Sequence, residues 1–364
     1  MINGRNWRDV VALVQTEWHH LTTINASDRR WAMPFCAALA SGLPLLVGAY
    51  FGQLNFGLVS SLGGLVFVYT PKTPLSHRMV VLMACAFGMS ASYALGVMAH
   101  FWPLLLVPVL TFIAILVTMV CRFYAVGPPG SLFFVMAAAI GAYAPGELMQ
   151  IPQSVGLLTL GALLACLIAF FYSLYHLRQQ AAEPVRPLPP ASFDFVVVDS
   201  VVIGVFVGLS LTVAQVLRLE RAYWVPISCM AVMQGGSLRA VWNKQVQRIV
   251  GTAVGLLLAW VLLMLVLDAW RVALLMMALT FCIEVLVVRH YGLAVIFITP
   301  LTILLAEAAY LGQGSSAVML QARLWDTVLG SVVGLLGGVC LHSPRLRASL
   351  GPWLRKWAPT FSKG

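Results

Sequence analysis

Residues 254–267 read VGLLLAWVLLMLVL, and the way this run is folded decides the class of the whole chain. A strand of a membrane barrel alternates apolar and polar residues over about 10 positions. This run does not alternate, so it reads as a helix in lipid. The same pattern recurs outward from it in both directions. Candidate spans lie near 34–52, 54–70, 79–99, 102–121, 131–146, 153–175, 196–217, 223–236, 247–267, 269–288, 292–311 and 320–341. A crossing helix needs about 20 mostly apolar residues at 1.5 Å rise per residue. The runs at 54–70, 131–146 and 223–236 are short by that measure. Composition agrees: 61% of the 364 residues are hydrophobic and 9% are charged. That is too little polar surface for a water-soluble exterior.

The expectation is an all-α integral membrane protein with about twelve transmembrane helices. Residues 1–30 carry Arg5, Arg8, Asp9, Glu17, Asp28, Arg29 and Arg30 without a continuous apolar core, unlike a cleavable signal peptide. Trp7, Val10, Val14, Trp18 and Leu21 recur at helical spacing, which predicts a basic amphipathic helix on the membrane surface. The seven cysteines lie in or beside apolar runs without metal-ligand spacing, so they read as small packing residues.

The net charge of +10 is distributed for topology, not for nucleic acid. With both termini cytoplasmic, 18 of the 22 Lys and Arg fall on the inner side, leaving Arg218, Arg221, Arg271 and Arg323 outside. This is the positive-inside bias, and it requires an even number of crossings. The expected location is a bacterial inner membrane.

The chain also repeats itself at a spacing of about 170 residues. Asn55-Phe56 and Tyr223-Trp224 each open a short run ending in a glycine pair, Gly63-Gly64 and Gly235-Gly236. Basic loops follow, Lys72 to Arg78 and Arg239 to Arg248. Pro184, Pro187, Pro189 and Pro190 mark the seam between halves. The expected organisation is a segment 1–30, a six-helix repeat 31–177, a linker 178–195, a second six-helix repeat 196–342, and a basic tail 343–364. Six spans per half give two parallel repeats about an axis along the membrane normal, with a pathway between them.

Charged and aromatic residues then mark the candidate site. Arg248 enters a long apolar helix, and its planar fork matches a carboxylate. Arg239 and Lys244 extend it into a positive mouth, with Lys72 and Arg78 as a weaker copy. Trp224 offers a stacking surface. Gln234 and Thr299, beside Gly235 and Pro300, lie where helices break. Cations in such loops also serve topology and lipid headgroups. Glu284, Glu307, Arg323 and Asp326 are charges inside apolar runs, expected either to couple protons or to form ion pairs. Arg323 with Asp326 and Glu284 with Arg289 are the pairings the spacing suggests. No nucleotide-binding loop, H-E-x-x-H or G-x-S-x-G occurs, so an enzyme is not expected.

Three segments carry a resemblance: Tyr223-Trp224-Val225-Pro226-Ile227, Arg248-Ile249-Val250-Gly251-Thr252-Ala253-Val254-Gly255, and Arg323-Leu324-Trp325-Asp326-Thr327 with Gly330. Together they resemble the fusaric-acid-resistance-like family of inner-membrane proteins, over about 196–342. The first half matches less well, because Arg78-Met79-Val80-Val81 lacks the Gly-Thr. The resemblance implies export of small organic anions, typically aromatic carboxylates; without a nucleotide-binding loop, active export is expected to draw on the proton gradient. It also implies a distant similarity to plant aluminium-activated malate transporters. Some relatives work with a periplasmic adaptor and an outer-membrane channel, and a homo-oligomer is compatible with the pattern. No cofactor or metal is implied. The competing readings are a passive anion channel and a lipid-interacting scaffold, the latter suggested by Arg345, Arg347, Trp353, Arg355, Lys356 and Trp357.

Overall fold

The computed structural model describes residues 23–27, 29–144, 146–185, 187–188, 192–265, 268–307, 316–345, 348 and 351–352. The side chains of 306–307 and 316–319 also lie outside the description. Each apolar run of the sequence has become a helix, and among the described residues there is no strand. The helices of the first half are α1 (Ala32–Tyr50), α2 (Leu54–Gly64, continued by a tighter turn Leu65–Tyr69), α3 (Leu75–His100), α4 (Pro103–Phe123), α5 (Leu132–Ala142) and α6 (Ile151–Gln179). Those of the second half are α7 (Asp199–Val216), α8 (Trp224–Met233), α9 (Leu238–Leu263), α10 (Ala269–Leu286), α11 (Tyr291–Glu307) and α12 (Ser316–Leu341).

Their starts follow local chemistry. Ser237 and Asp268 cap α9 and α10, accepting from the amides of Ala240 (3.2 Å) and Arg271 (2.8 Å). Pro103 opens α4, where its missing N–H costs nothing. Outward faces are apolar and exposed, as at Phe87, Leu104 and Leu160, which suits lipid and not water.

Among the described residues, eight helical segments are long and apolar enough to cross a membrane. Four others are shorter apolar helices: Leu54–Tyr69, Leu132–Ala142, Trp224–Met233 and Tyr291–Leu305. Of the twelve crossings read from the sequence, eight are matched by helices of crossing length and four by shorter ones. The short four are the second and fifth of each half. The expected surface helix falls mainly on residues 1–22, outside the described residues, and residues 23–27 are not helical. Most of the basic tail, including Trp353, Arg355, Lys356 and Trp357, also lies outside them.

Packing partners correspond between the halves. Helix α2 packs on α6 and α3 on α5, while α8 packs on α12 and α9 on α11. Close approach depends on glycine at the matching places. A Cβ on Gly161 of α6 would lie 1.8 Å from the Ser60 carbonyl oxygen of α2. One on Gly330 of α12 would lie 2.4 Å from the Val225 carbonyl oxygen of α8.

Two seams join the halves, α1 against α10 and α4 against α7. Each closes on an ion pair with one buried carboxylate. Arg29, just before α1, reaches Glu284 of α10 at 3.1 Å. Arg122 of α4 reaches Asp199 of α7 at 2.9 Å, donates to the Phe195 carbonyl at 3.0 Å, and lies 4.4 Å from the Phe195 ring centre. The polarity is exchanged: the base precedes α1 in one seam, and the acid opens α7 in the other. Removing one partner of a buried pair strands the other, at a cost of roughly 3–5 kcal/mol. Asp199→Asn is thus expected to lower the melting temperature of the detergent-purified protein, and Arg122→Asp with Asp199→Arg to recover part of it. An unchanged melting temperature in Asp199→Asn would show that the seam does not depend on this pair.

Candidate functional site

Helix α8 is short and buried along its whole length. Around it, three helices deliver polar side chains into an otherwise apolar interior. Arg248 of α9 is buried, donating from one Nη to the Tyr291 hydroxyl of α11 (2.9 Å) and from the other to Ser228 Oγ of α8 (3.0 Å). Its Nε has no hydrogen-bond partner. Arg323 of α12 is 5% exposed and rests its guanidinium on the Trp224 ring, 4.2 Å from the ring centre. Its Nε and Nη1 are without partners, as are both carboxylate oxygens of Asp326, one helical turn further on. Arg248, Asp326, Tyr223 and Tyr291 are the titratable neighbours of Arg323.

Buried guanidinium N–H groups without acceptors are costly, because water cannot satisfy them and they retain their charge. Two guanidiniums against one carboxylate also leave an excess of positive charge. An oxyanion between Arg248 and Arg323 would satisfy both deficits. Two lines of side chains lead to this point. On one side Lys244 sits one turn before Arg248 on α9, its Nζ 5.8 Å from the Tyr291 ring centre, with Arg239 exposed beyond it. On the other, Tyr143, just after α5, Tyr223 and Trp224 pack ring against ring, at 5.6 and 5.1 Å between centres.

The remaining sequence candidates lie elsewhere or are engaged. Lys72 is exposed and faces Glu183 of the linker at 3.8 Å. Gln234 donates to the Pro129 carbonyl at 2.7 Å, which ties α8 to the loop before α5. The Thr299 hydroxyl turns back to the Val295 carbonyl at 2.9 Å and packs on Gly255. Glu284 pairs with Arg29 and not with Arg289, whose carbonyl instead accepts from the Asn25 amide at 2.9 Å. Arg323 and Asp326 do not satisfy one another, because the guanidinium swings onto Trp224. Arg78 is buried among first-half residues, donating from Nε to the Thr73 carbonyl at 2.5 Å. The side chain of Glu307 lies outside the described residues. Trp224 has one ring face already covered by Arg323. Sequence reasoning missed Ser228 and Tyr291, whose hydroxyls stand out only once α8, α9 and α11 are seen to converge.

Fold and site together define a multi-pass helical membrane protein with a cationic cluster in its second half. Residues 201–337, which contain the whole cluster, match the family model described as fusaric acid resistance protein-like. The resemblance read from the segments at Tyr223, Arg248 and Arg323 thus holds over that region. The chain is also similar to the uncharacterized membrane protein YvaC of Bacillus subtilis (strain 168), 22% identical over 465 residues, covering 87% of this chain and 74% of the relative. No solved structure matches.

Proposed function

We propose that this protein exports small organic anions across the bacterial inner membrane, with Arg248 and Arg323 holding the carboxylate. The observation that carries this reading is the pair of buried guanidiniums with unpartnered N–H groups around Trp224 and Ser228. The family match over 201–337 supports it, since a resistance protein is naturally an exporter. Tyr223 and Trp224 suit an aromatic monocarboxylate. Burial of both arginines favours a carrier that opens alternately over an uncoupled channel, which would keep its cations wetted. The matching packing partners of the two halves favour two parallel six-helix repeats. The site, however, belongs within the second of them and not on the axis between.

The electrostatics also bear on the driving force. A proton on Asp326 removes the negative charge that competes for Arg323, so it favours anion occupancy. Were that proton carried across with a monocarboxylate, the step would be electroneutral and the inward proton gradient would oppose export, so the export step proposed moves the anion alone. Membrane potential acts in the required direction, because an anion leaving a negative interior gains about 2.3 kcal/mol per 100 mV. Proteoliposomes loaded with benzoate are therefore expected to release it faster when a potassium diffusion potential makes the lumen negative. A pH gradient alone is expected to have a smaller effect. Efflux driven by external acid with the potential clamped at zero would replace this reading with proton antiport.

A further inference from the structure

The two halves are fastened differently at their two ends. At the end where α1 and α7 begin and α4, α8 and α10 finish, the ties are ionic and hydrogen-bonded. Arg29 holds Glu284 at 3.1 Å, and Arg122 holds Asp199 at 2.9 Å. The Gln234 side-chain amide donates to the Pro129 carbonyl at 2.7 Å, and the Asn25 backbone amide to the Arg289 carbonyl at 2.9 Å. The positive-inside rule puts this end in the cytoplasm. At the other end the halves meet through rings. Tyr50 of α1 meets Trp270 of α10 edge to face, 6.5 Å between centres, and Tyr143 meets Tyr223 at 5.6 Å. The exposed Gln215 of α7 also donates from its amide to the Tyr143 hydroxyl, at 3.2 Å. A hydrogen bond with an exposed partner exchanges readily with water, whereas parting a buried ion pair strands its carboxylate. The outer end is the one that parts more easily.

Tyr143 is also where that outer end meets the proposed transport site. Besides the two seams, α5 packs on α8. The contacts Pro129–Gln234 and Tyr143–Tyr223 set the two helices antiparallel and fix their register. Met136 and Ala139 lie at helical spacing before Tyr143, and Ile227 and Met230 at the same spacing between Tyr223 and Gln234. All four are buried and apolar. Helix α5 itself is bound to the first half. His100 of α3 bonds the Ala142 carbonyl at 3.0 Å, and a Cβ on Gly96 of α3 would lie 2.1 Å from the Ala138 carbonyl oxygen. When the halves part at the outer end, Tyr143 leaves with α3 and Tyr223 stays with α8. That movement uncovers Trp224 and the Arg323 guanidinium, which lies 4.2 Å from its ring centre.

We infer that Tyr143 is the outer gate of the transport site, closing it from the first half and opening as the halves separate about their cytoplasmic ties. The inference rests on the transport route proposed through Arg248 and Arg323. The test labels the full chain carrying Ile227→Cys, one turn behind Tyr223, with a membrane-impermeant maleimide. Right-side-out and inverted membrane vesicles are compared, and each cysteine is read by peptide mass spectrometry. With Tyr143 in place, labelling at 227 is expected to be slow from both faces. Adding Tyr143→Ala is expected to speed it from the outer face about 10-fold or more, since a ring pair and a hydrogen bond are lost. The inner-face rate is expected to stay the same. Tyr143→Phe keeps the ring and is expected to give a smaller rise. An unchanged outer rate in Tyr143→Ala would overturn the inference, as would an equal rise from both faces, which marks a loosened fold. Should Tyr143→Ala not accumulate, Gln215→Leu reads the same rate with the ring in place, and no rise there would overturn it too. Benzoate efflux separates this inference from the transport reading. A disulfide joining Tyr143→Cys to Tyr223→Cys is expected to stop efflux until it is reduced, and efflux persisting through it would overturn the gate. A wild type that moves no benzoate would overturn the transport reading instead and leave the gate to be judged by labelling.

Discussion

Arg323→Gln is expected to abolish anion efflux while the protein still reaches the membrane in normal amount. The guanidinium lies on Trp224 with Nε and Nη1 unpartnered, so its removal breaks no hydrogen bond from those atoms within the fold. A purely structural arginine would behave in the opposite way, its loss leaving acceptors stranded. What is lost is a charge-assisted bond to the substrate, worth about 1.5–3 kcal/mol, or roughly 10- to 100-fold in anion affinity. Asp326 would then face no cation on its own helix, which opposes anion entry further. Arg248→Gln is expected to act in the same direction but to cost some stability as well, because it also gives up Tyr291 and Ser228. Benzoate efflux from cells, normalised to membrane abundance, measures both. Undiminished efflux in Arg323→Gln would remove that residue from the site.

The largest effect on folding is expected at the glycine contacts between α2 and α6. A Cβ at position 161 would meet the Ser60 carbonyl oxygen at 1.8 Å and its carbon at 2.7 Å. From the other side, a Cβ at position 63 would meet the Leu158 carbonyl oxygen at 2.1 Å. These neighbours are backbone and cannot turn aside, so Gly161→Leu must push the two helices apart. The usual cost of overpacking, about 1–3 kcal/mol, assumes side chains that can repack. Here the loss should exceed it and consume much of a domain's stability of about 5–15 kcal/mol. Fluorescence size-exclusion of the tagged protein is expected to show aggregation for Gly161→Leu and for its counterpart Gly330→Leu. Gly156→Leu, where a Cβ meets nothing within 4 Å, is expected to run as wild type.

Helix positions were legible in the sequence because each is a local property of apolar length. The short runs at 54–70, 131–146 and 223–236 appear as α2, α5 and α8. The fourth short helix, α11, reads as a full span in the sequence because its apolar run continues to residue 311, and residues 308–311 lie outside the described residues. Arg248 was legible too, since a guanidinium entering an apolar helix is conspicuous. Partners were not legible. Glu284 has Arg289 close by in the chain, yet it pairs with Arg29, 255 residues away. Only the α1–α10 seam brings those two together. In the same way, Arg323 and Asp326 look like a turn-spaced pair until Trp224 of α8 offers the guanidinium a ring face. Ser228 carries no signal in a run of buried apolar residues. Its role comes from facing Arg248, which depends on how α8 and α9 cross.

The most direct test is a cryo-EM map of the protein in lipid nanodiscs with saturating 4-iodobenzoate, whose iodine marks the ring. The account expects the carboxylate between the Arg248 and Arg323 guanidiniums, with the iodine toward Tyr223 and Trp224. Ligand density on the axis between the two halves, with lipid or solvent filling the space beside Arg323, would contradict it.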